Sequence, residues 1–514
     1  MSVTNHWFRG VPVVALWSIM LVACQPATEH STGAAVMEPA AATPPVRTPI
    51  YRSEKRLSSD CGVVRAPEPF PGFAKVAGEE ADEMPEMARQ WFDIGAERLP
   101  VETDLARVAP GYTVVGPIST KEKFIINNDK EVVGRFEGEY FAGHTDVLDN
   151  GDLFGTASAY HDHFRSGGRN GCVERYGPGG ELLWRVRIGG ENYLSHHDVV
   201  LLENGNFLAI VWDRVSSDEA IEQGRDPETV AEIGEFWYDG IIEVDPYELE
   251  IVWEWSARHH LVQDLDPVKR NYGAVAEHPE LIDINTIHRN MRGKITADWT
   301  HLNSIDYNPE LEQILVSSPH LDEIWIIDHS TTPWESMGHA GGRYGKGGDL
   351  LYRWGNPANY DRGTEDDQQL FGQHDAQWIP KGLPGAGNIL VFNNGGRKRP
   401  YSTIAEITPP LNTNGSYTID AGRAYGPAQP AWEYDPDPPE RFFSWFISGV
   451  QRLPNGNTLV NQGAGAKLRE VTVDGDIVWE YGYHGAGDVP HMLFRANKYP
   501  PDHPGILMHT NNAD

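Results

Sequence analysis

The stretch that decides the fold lies near the C-terminus. Ser448-Gly449-Val450-Gln451-Arg452-Leu453 leads through Asn455-Gly456-Asn457 into Thr458-Leu459-Val460. Lys467 to Val473 follow, then Asp474-Gly475, then Ile477-Val478-Trp479-Glu480-Tyr481. This reads as four short strands, the first pair joined by Asn-Gly and the last pair by Asp-Gly. Those dipeptides between apolar runs are strong hairpin signals, because both turn positions favour positive φ.

The same unit recurs upstream. One copy runs from His144-Thr145-Asp146-Val147 through Asn150-Gly151 to Leu182-Leu183-Trp184, and the next from His197-Asp198-Val199-Val200 through Asn204-Gly205 to Val252-Trp253-Glu254-Trp255. A third spans His301-Leu302-Asn303-Ser304-Ile305 to Leu351-Tyr352-Arg353-Trp354, and a fourth His374-Asp375-Ala376-Gln377-Trp378 to Ala431-Trp432-Glu433-Tyr434. A repeated four-strand unit whose last strand carries Trp is a β-propeller blade; a β-sandwich array is the alternative. Five blades are explicit. A sixth closes from both ends, with outer strands at 123–126 and 132–136 and an inner strand at 491–495. The chain is therefore expected to be all-β, a six-bladed propeller over 111–514. The long inserts at 212–235, 256–298 and 330–350 should cap one face. Asp218–Glu222 reads as a short helix.

The composition agrees. The chain has 514 residues, 40% of them hydrophobic and 10% aromatic, and its formal charge is −32. That apolar content suits a packed chain. The negative charge argues against binding nucleic-acid phosphates or anionic lipid through a basic face. The apolar run Val11–Ala23 is too short to span a bilayer as a helix. It ends Leu21-Val22-Ala23-Cys24, which looks like a bacterial lipobox; a simple secretory signal is the alternative. Residues 1–23 are then a lipoprotein signal peptide and Cys24 the lipidation site. Residues 24–60 form a tether, and 61–110 a segment packed on the propeller. Gln25 is not the Asp of inner-membrane retention, so a periplasmic, outer-membrane anchor is expected. Of three cysteines, Cys61 and Cys172 remain for a disulfide in an oxidising compartment, with two buried thiols as the alternative.

Strand starts at equivalent places bring their side chains to one mouth of a propeller channel. His144, His197, His301, His374 and His491 lie at or beside five such starts. Convergent imidazoles can bind a metal, or can bind an anion and move protons. Asp198 and Asp375 follow His197 and His374 directly, but successive strand residues face opposite ways, which argues against a mixed metal site. Asn303 faces the same way as His301. Arg397, after Asn393-Asn394-Gly395-Gly396, adds a bidentate oxyanion ligand. His, Arg and Asn together suit a sulfuryl or phosphoryl group better than a cation, and no cofactor is called for.

The motifs Asp298-Trp299-Thr300-His301-Leu302-Asn303-Ser304, Ser317-Ser318-Pro319-His320, Gln373-His374-Asp375-Ala376-Gln377-Trp378, Asn394-Gly395 with Arg397, and His491–Ala496 resemble bacterial arylsulfate sulfotransferases over about residues 110–500. The resemblance implies a six-bladed propeller that moves a sulfuryl group from an aryl sulfate to a phenol through a sulfated histidine. It also implies that His301, His374 and Arg397 hold the sulfuryl group. Asn303 and Asn394 join them, and Trp299 stacks on the aryl ring unless it is blade core, as Trp378 can also be. The family's nucleophilic His follows a glycine pair in the last explicit blade. Here that stretch is Asn461-Gln462-Gly463-Ala464-Gly465-Ala466-Lys467, with no His. His197, His320 or His491 then takes the role. A metal-dependent hydrolase or lyase and a non-catalytic ligand-binding propeller are the competing readings. His161, His163 and His259-His260 receive no role, and the oligomeric state is open.

Overall fold

The computed structural model describes residues 53–61 and 102–510, except 119, 140–141, 160, 291–292, 397–398, 437, 440–441 and 484–491. Cys24, the expected signal peptide and most of the tether lie outside the described residues, as do Arg397 and His491.

The described chain is built mainly of antiparallel strands in a propeller-like arrangement. Four sheets have four strands each. Their innermost strands are Ser304–Asn308, His374–Trp378, Gly449–Arg452 and Leu493–Tyr499. The last of these pairs with Tyr112–Pro117, to which Glu122–Ile126 and Val132–Glu137 are added. One sheet is thus made from both ends of the chain, as expected, with a strand at 112–117 that the sequence reading left out. A nine-stranded sheet holds 142–256. Within it, Ala142–Val147 to Leu182–Gly190 is one four-strand run and Tyr193–Leu201 to Glu250–Ser256 another. The runs are joined strand to strand at Gly189–Leu194 and Gly190–Tyr193. Leu57–Ser58 adds the ninth strand beside Leu182–Gly190.

The two-residue period of each strand fills the gaps between sheets. On Gln313–Ser318, Ile314 and Val316 pack with Trp253, Trp255 and Ile241. Leu315, between them in sequence, packs with Val391, Ile389 and Ala405 on the other side. Leu459, Val478 and Trp479 meet Val115 and Phe124 in the same way.

The inner strands also bond side by side. Ile305 N donates to Asp198 Oδ2 (3.0 Å), Ala376 N to Ser304 Oγ (3.0 Å) and Val450 N to Asp375 Oδ2 (2.8 Å). Lys498 N donates to Gln451 Oε1 (2.7 Å), and Asn497 Nδ2 to Asp146 Oδ1 (2.8 Å). These bonds equate Asp198, Ser304 and Asp375. The partner of His197 and His374 in the repeat is therefore Asn303, and His301 stands two residues ahead of that register.

The hairpin turns differ from the expectation in one respect. Gly151, Gly205, Gly456 and Gly475 have φ of 83–90°, but the preceding Asn or Asp does not have positive φ. Asn455 Oδ1 instead accepts from Asn457 N (3.1 Å), while Gly456 N donates to Leu453 O. The extra loop residue makes a type I turn followed by a left-handed Gly, not a two-residue type I′ turn. The helix at Ser217–Glu222 forms, with a Ser216–Glu219 capping box. Cys61 and Cys172 are disulfide-bonded. No described helix is long and apolar enough to cross a membrane.

Candidate active site

Five histidines from different parts of the chain converge. The His301 ring is 4.5 Å from His197, edge-on, and stacks at 4.4 Å on His320. His320 is itself stacked at 3.7 Å on His288. His196 meets His197 through their Nδ1 atoms (2.8 Å) and lies flat against buried Trp212 (3.9 Å). His197 and His301 have φ of 55° and 52°. This left-handed backbone is uncommon for a non-Gly residue and concentrates at functional sites. Gly168 lets the His197 ring in, since a Cβ there would lie 2.1 Å from its Cε1 and Nε2.

Asp298 organises the pair His301–His320. Its Oδ2 accepts from His301 Nδ1 (2.5 Å) and from Ser166 Oγ. Its backbone carbonyl lies 3.0 Å from His320 Nδ1. Both Nδ1 edges thus turn to Asp298, and the stacked rings present their Nε2 edges side by side. Burial opposes charge on His301, but the Asp298 carboxylate outweighs it and raises the pKa. Burial also opposes charge on Asp298, yet His301 holds that carboxylate well below its usual range. His320 is pushed well below the ordinary imidazole value by burial and then by His288 and His301. His197 is lowered likewise by burial and by His301. Two touching imidazoles therefore favour opposite charge states, a pattern that separates acid from base. The carbonyl fixes the His320 proton on Nδ1 and leaves a lone pair on Nε2.

The other expected residues fall in two groups. His374 is close to the cluster but fully engaged: Nδ1 lies 2.9 Å from Asn394 Oδ1 and 3.0 Å from Gly372 O, and Nε2 accepts from Ile447 N (3.1 Å). Burial lowers its pKa to about 3. Asn394 Nδ2 donates to the carbonyls of Ser444 and Ile447. Asn303 Nδ2 donates to Gln373 O. These residues brace the 444–448 segment and the neighbouring strand. Trp299 is 3% exposed and packs in the core against Phe236 and Tyr238. Trp378 is core as well. The alternative expectation for Trp299, as blade core, matches its burial. His144 pairs with Asp146 (3.0 Å), apart from the five-histidine cluster.

The sequence reading gave no role to Asp298, Asp239, His196, His288, Trp212 or Arg495. Asp239 Oδ1 is 2.8 Å from His196 Nε2, and Asp239 Oδ2 accepts from Thr300 Oγ1 and Leu302 N. Arg495 bridges Asp198 and Asp375 at 2.9 Å each. An Asp three residues before His301 was the available signal. His288 sits in an insert with no repeat pattern, and nothing in the sequence pointed to it. Just before Ile447, whose N donates to His374 Nε2, the partly exposed rings of Trp445 and Phe446 lie 4.1 Å apart. Where the resemblance leads one to look for a nucleophilic His, Gly463–Gly465 form a tight turn. Gly463 N donates to Ser448 Oγ, and a Cβ on Gly463 would meet Leu493 O at 2.3 Å. A separate concavity lined by Lys123, Arg135, Phe136 and Tyr176 is away from these rings, since no histidine of the cluster lines it.

No curated protein matches the sequence. The structure is similar to a protein of unknown function from Bacteroides caccae, at 13% identity and TM-score 0.39 over 73% of this chain and 94% of that one. It is also similar to virginiamycin B lyase from Staphylococcus aureus (9%, 0.34, 74% and 87%). A putative 6-phosphogluconolactonase from Bacteroides fragilis compares similarly (10%, 0.35, 76% and 98%). The family model described as Arylsulfotransferase (ASST) matches residues 119–481, more than half of the chain and the whole span from which the clustered histidines come. The chain belongs to the arylsulfotransferase family.

Proposed function

We propose that the protein transfers a sulfuryl group from an aryl sulfate to a phenol, with His320 as nucleophile and His301 as the cationic partner. The observation that carries this reading is the stacked His301–His320 pair over Asp298, with pKa values driven in opposite directions. His301 holds a sulfuryl oxygen through its Nε2–H, in place of water. The His320 Nε2 lone pair attacks sulfur, the sulfur–aryl oxygen bond breaks, and the leaving phenolic oxygen takes the His301 proton. An acceptor phenol then returns a proton to His301 as its oxygen attacks the same sulfur, which frees His320. In each transition state, before or as the proton moves, the charge building on the sulfuryl oxygens lies against the His301 ring, where the imidazolium stabilises it. Trp445 and Phe446 offer the aryl platform that buried Trp299 does not.

The reading includes six blades. The two four-strand runs of the nine-stranded sheet count as two, and the side-chain bonds linking successive inner strands from 193–201 round to 142–147 support a closed ring. It also includes lipid anchorage through Cys24 on the periplasmic side, supported by the sequence motif.

A chromogenic aryl sulfate with excess phenol tests the activity. Phenol-dependent product in the wild type, lost in His320→Ala, is expected; absence of such product rejects transfer. A metal-dependent hydrolase is a second reading, because Asp298, His301 and His320 offer ligand atoms within 4.8 Å of one another. Chelator-sensitive release of phenol that does not need an acceptor would favour it.

A further inference from the structure

We propose that His260, His339 and Asp349 form a divalent metal site, of zinc-type chemistry, that pins the 330–350 loop to the segment after Glu250–Ser256. One ligand atom from each lies within 4.8 Å of the other two. His260 Nδ1 is 2.9 Å and His339 Nδ1 2.8 Å from the same oxygen, Asp349 Oδ1. Two imidazole nitrogens and a carboxylate are a common set for zinc, and three protein ligands leave a position for water. A tetrahedral ion with bonds of about 2.0–2.1 Å holds its ligand atoms about 3.3–3.4 Å apart, so binding asks the two N···O spacings to open by about half an ångström.

The hydrogen-bond accounting at His260 points the same way. Its Nε2 lies 2.9 Å from the Ser336 carbonyl, so both ring nitrogens face oxygen acceptors in a fully buried setting. A neutral imidazole carries one N–H and satisfies one of them, and either a second proton or a metal ion is needed for the other. A cation between Nδ1 and Oδ1 satisfies the other.

The loop is shaped for this. Gly348 N donates to Gly338 O (3.0 Å), which sets His339 beside Asp349. A Cβ on Gly348 would lie 2.6 Å from His260 Nε2, and one on Gly347 2.2 Å from Gly338 O. Gly347 and Gly348 of the 330–350 insert thus clear space for the His260 ring and its partners. His260 also stacks on Trp255 (5.5 Å between centroids), whose Nε1 donates to Gly348 O (2.7 Å). The His339 side chain is 61% exposed, which gives an ion a path in.

The test is a titration of the chelator-treated full-length protein with Zn²⁺ against a competing indicator. His339→Ala changes an exposed side chain, and Asp349→Asn is nearly isosteric. Each is expected to bind one equivalent fewer than the wild type, and Zn²⁺ is expected to raise the wild-type Tm more than theirs. His301→Ala separates this site from the Asp298 cluster: its loss at 330–350 should be nil, so His301→Ala/His339→Ala binds one equivalent fewer than His301→Ala. Equal stoichiometry in wild type and His339→Ala, including zero in both, overturns the proposal.

Discussion

Asp298 Oδ2 and His301 Nδ1 lie 2.5 Å apart, Asp298 buried and His301 half-buried, and each sets the charge of the other. If His301 acts as a cation, activity falls as pH rises through its raised pKa. Asp298→Asn removes the carboxylate that raises it. The alkaline limb of kcat/KM should move to lower pH and kcat should drop about 100-fold, the usual scale for losing one charge-stabilising group. A full pH–rate profile of the variant checks this; an unmoved alkaline limb contradicts it.

The space at Gly168 makes a sharper steric test. Gly168→Ala adds a Cβ 2.1 Å from the His197 ring, at a φ of 77° that an L-residue tolerates poorly. Displacing His197 by about 1 Å should cost about 100-fold in kcat/KM. Far-UV circular dichroism should stay unchanged. Full activity would show that the His197 ring, edge-on at 4.5 Å, does not position His301.

His374 carries a stability prediction. Its folded pKa, about 3, is below the unfolded value near 6.5. Between those values the unfolded chain binds the extra proton, so the wild type loses stability as pH falls. His374→Asn should be destabilised at pH 7, and the gap in Tm to the wild type should narrow towards pH 4. A gap that widens on acidification contradicts the assignment of His374 as a neutral brace.

The propeller was legible in the sequence because its strands repeat with their turns: Asn455-Gly456 and Asp474-Gly475 marked hairpins that formed. The exact turn type was not, because Asn455 caps Asn457 through its side chain and takes no positive φ of its own. Strand order led to His144, His197, His301, His374 and His491 as the convergent set; His197 and His301 meet, His374 lies nearby, His144 pairs with Asp146 instead, His491 lies outside the described residues, and His320 entered only through a family motif. The register of His301 did not follow from strand order, because it lies two residues ahead of the position that Asn303 shares with His197 and His374, before the strand at Ser304–Asn308 begins. Trp299 resembled a substrate platform only because it neighbours His301, and its side chain points to the core. Asp239 and Arg495 act through contacts more than 100 residues apart in some cases, such as Arg495 with Asp198, and no local pattern announces them.

The Cys61–Cys172 bond closes a separation of 111 residues and ties the 53–61 segment to the nine-stranded sheet. Its loss should lower stability by about 2–4 kcal/mol. Reductant should therefore lower the Tm of the wild type and leave that of Cys61→Ser/Cys172→Ser unchanged. Equal Tm with and without reductant in the wild type would contradict a stabilising role.

The central claim is a covalent sulfuryl intermediate on His320. Purified protein mixed with an aryl sulfate and no acceptor, quenched at alkaline pH and mapped by peptide mass, tests it most directly. The account predicts a gain of one sulfuryl group on the peptide holding His320, discharged by added phenol and absent in His320→Ala. The same modification on another residue, or none while phenol-dependent transfer proceeds, would contradict it.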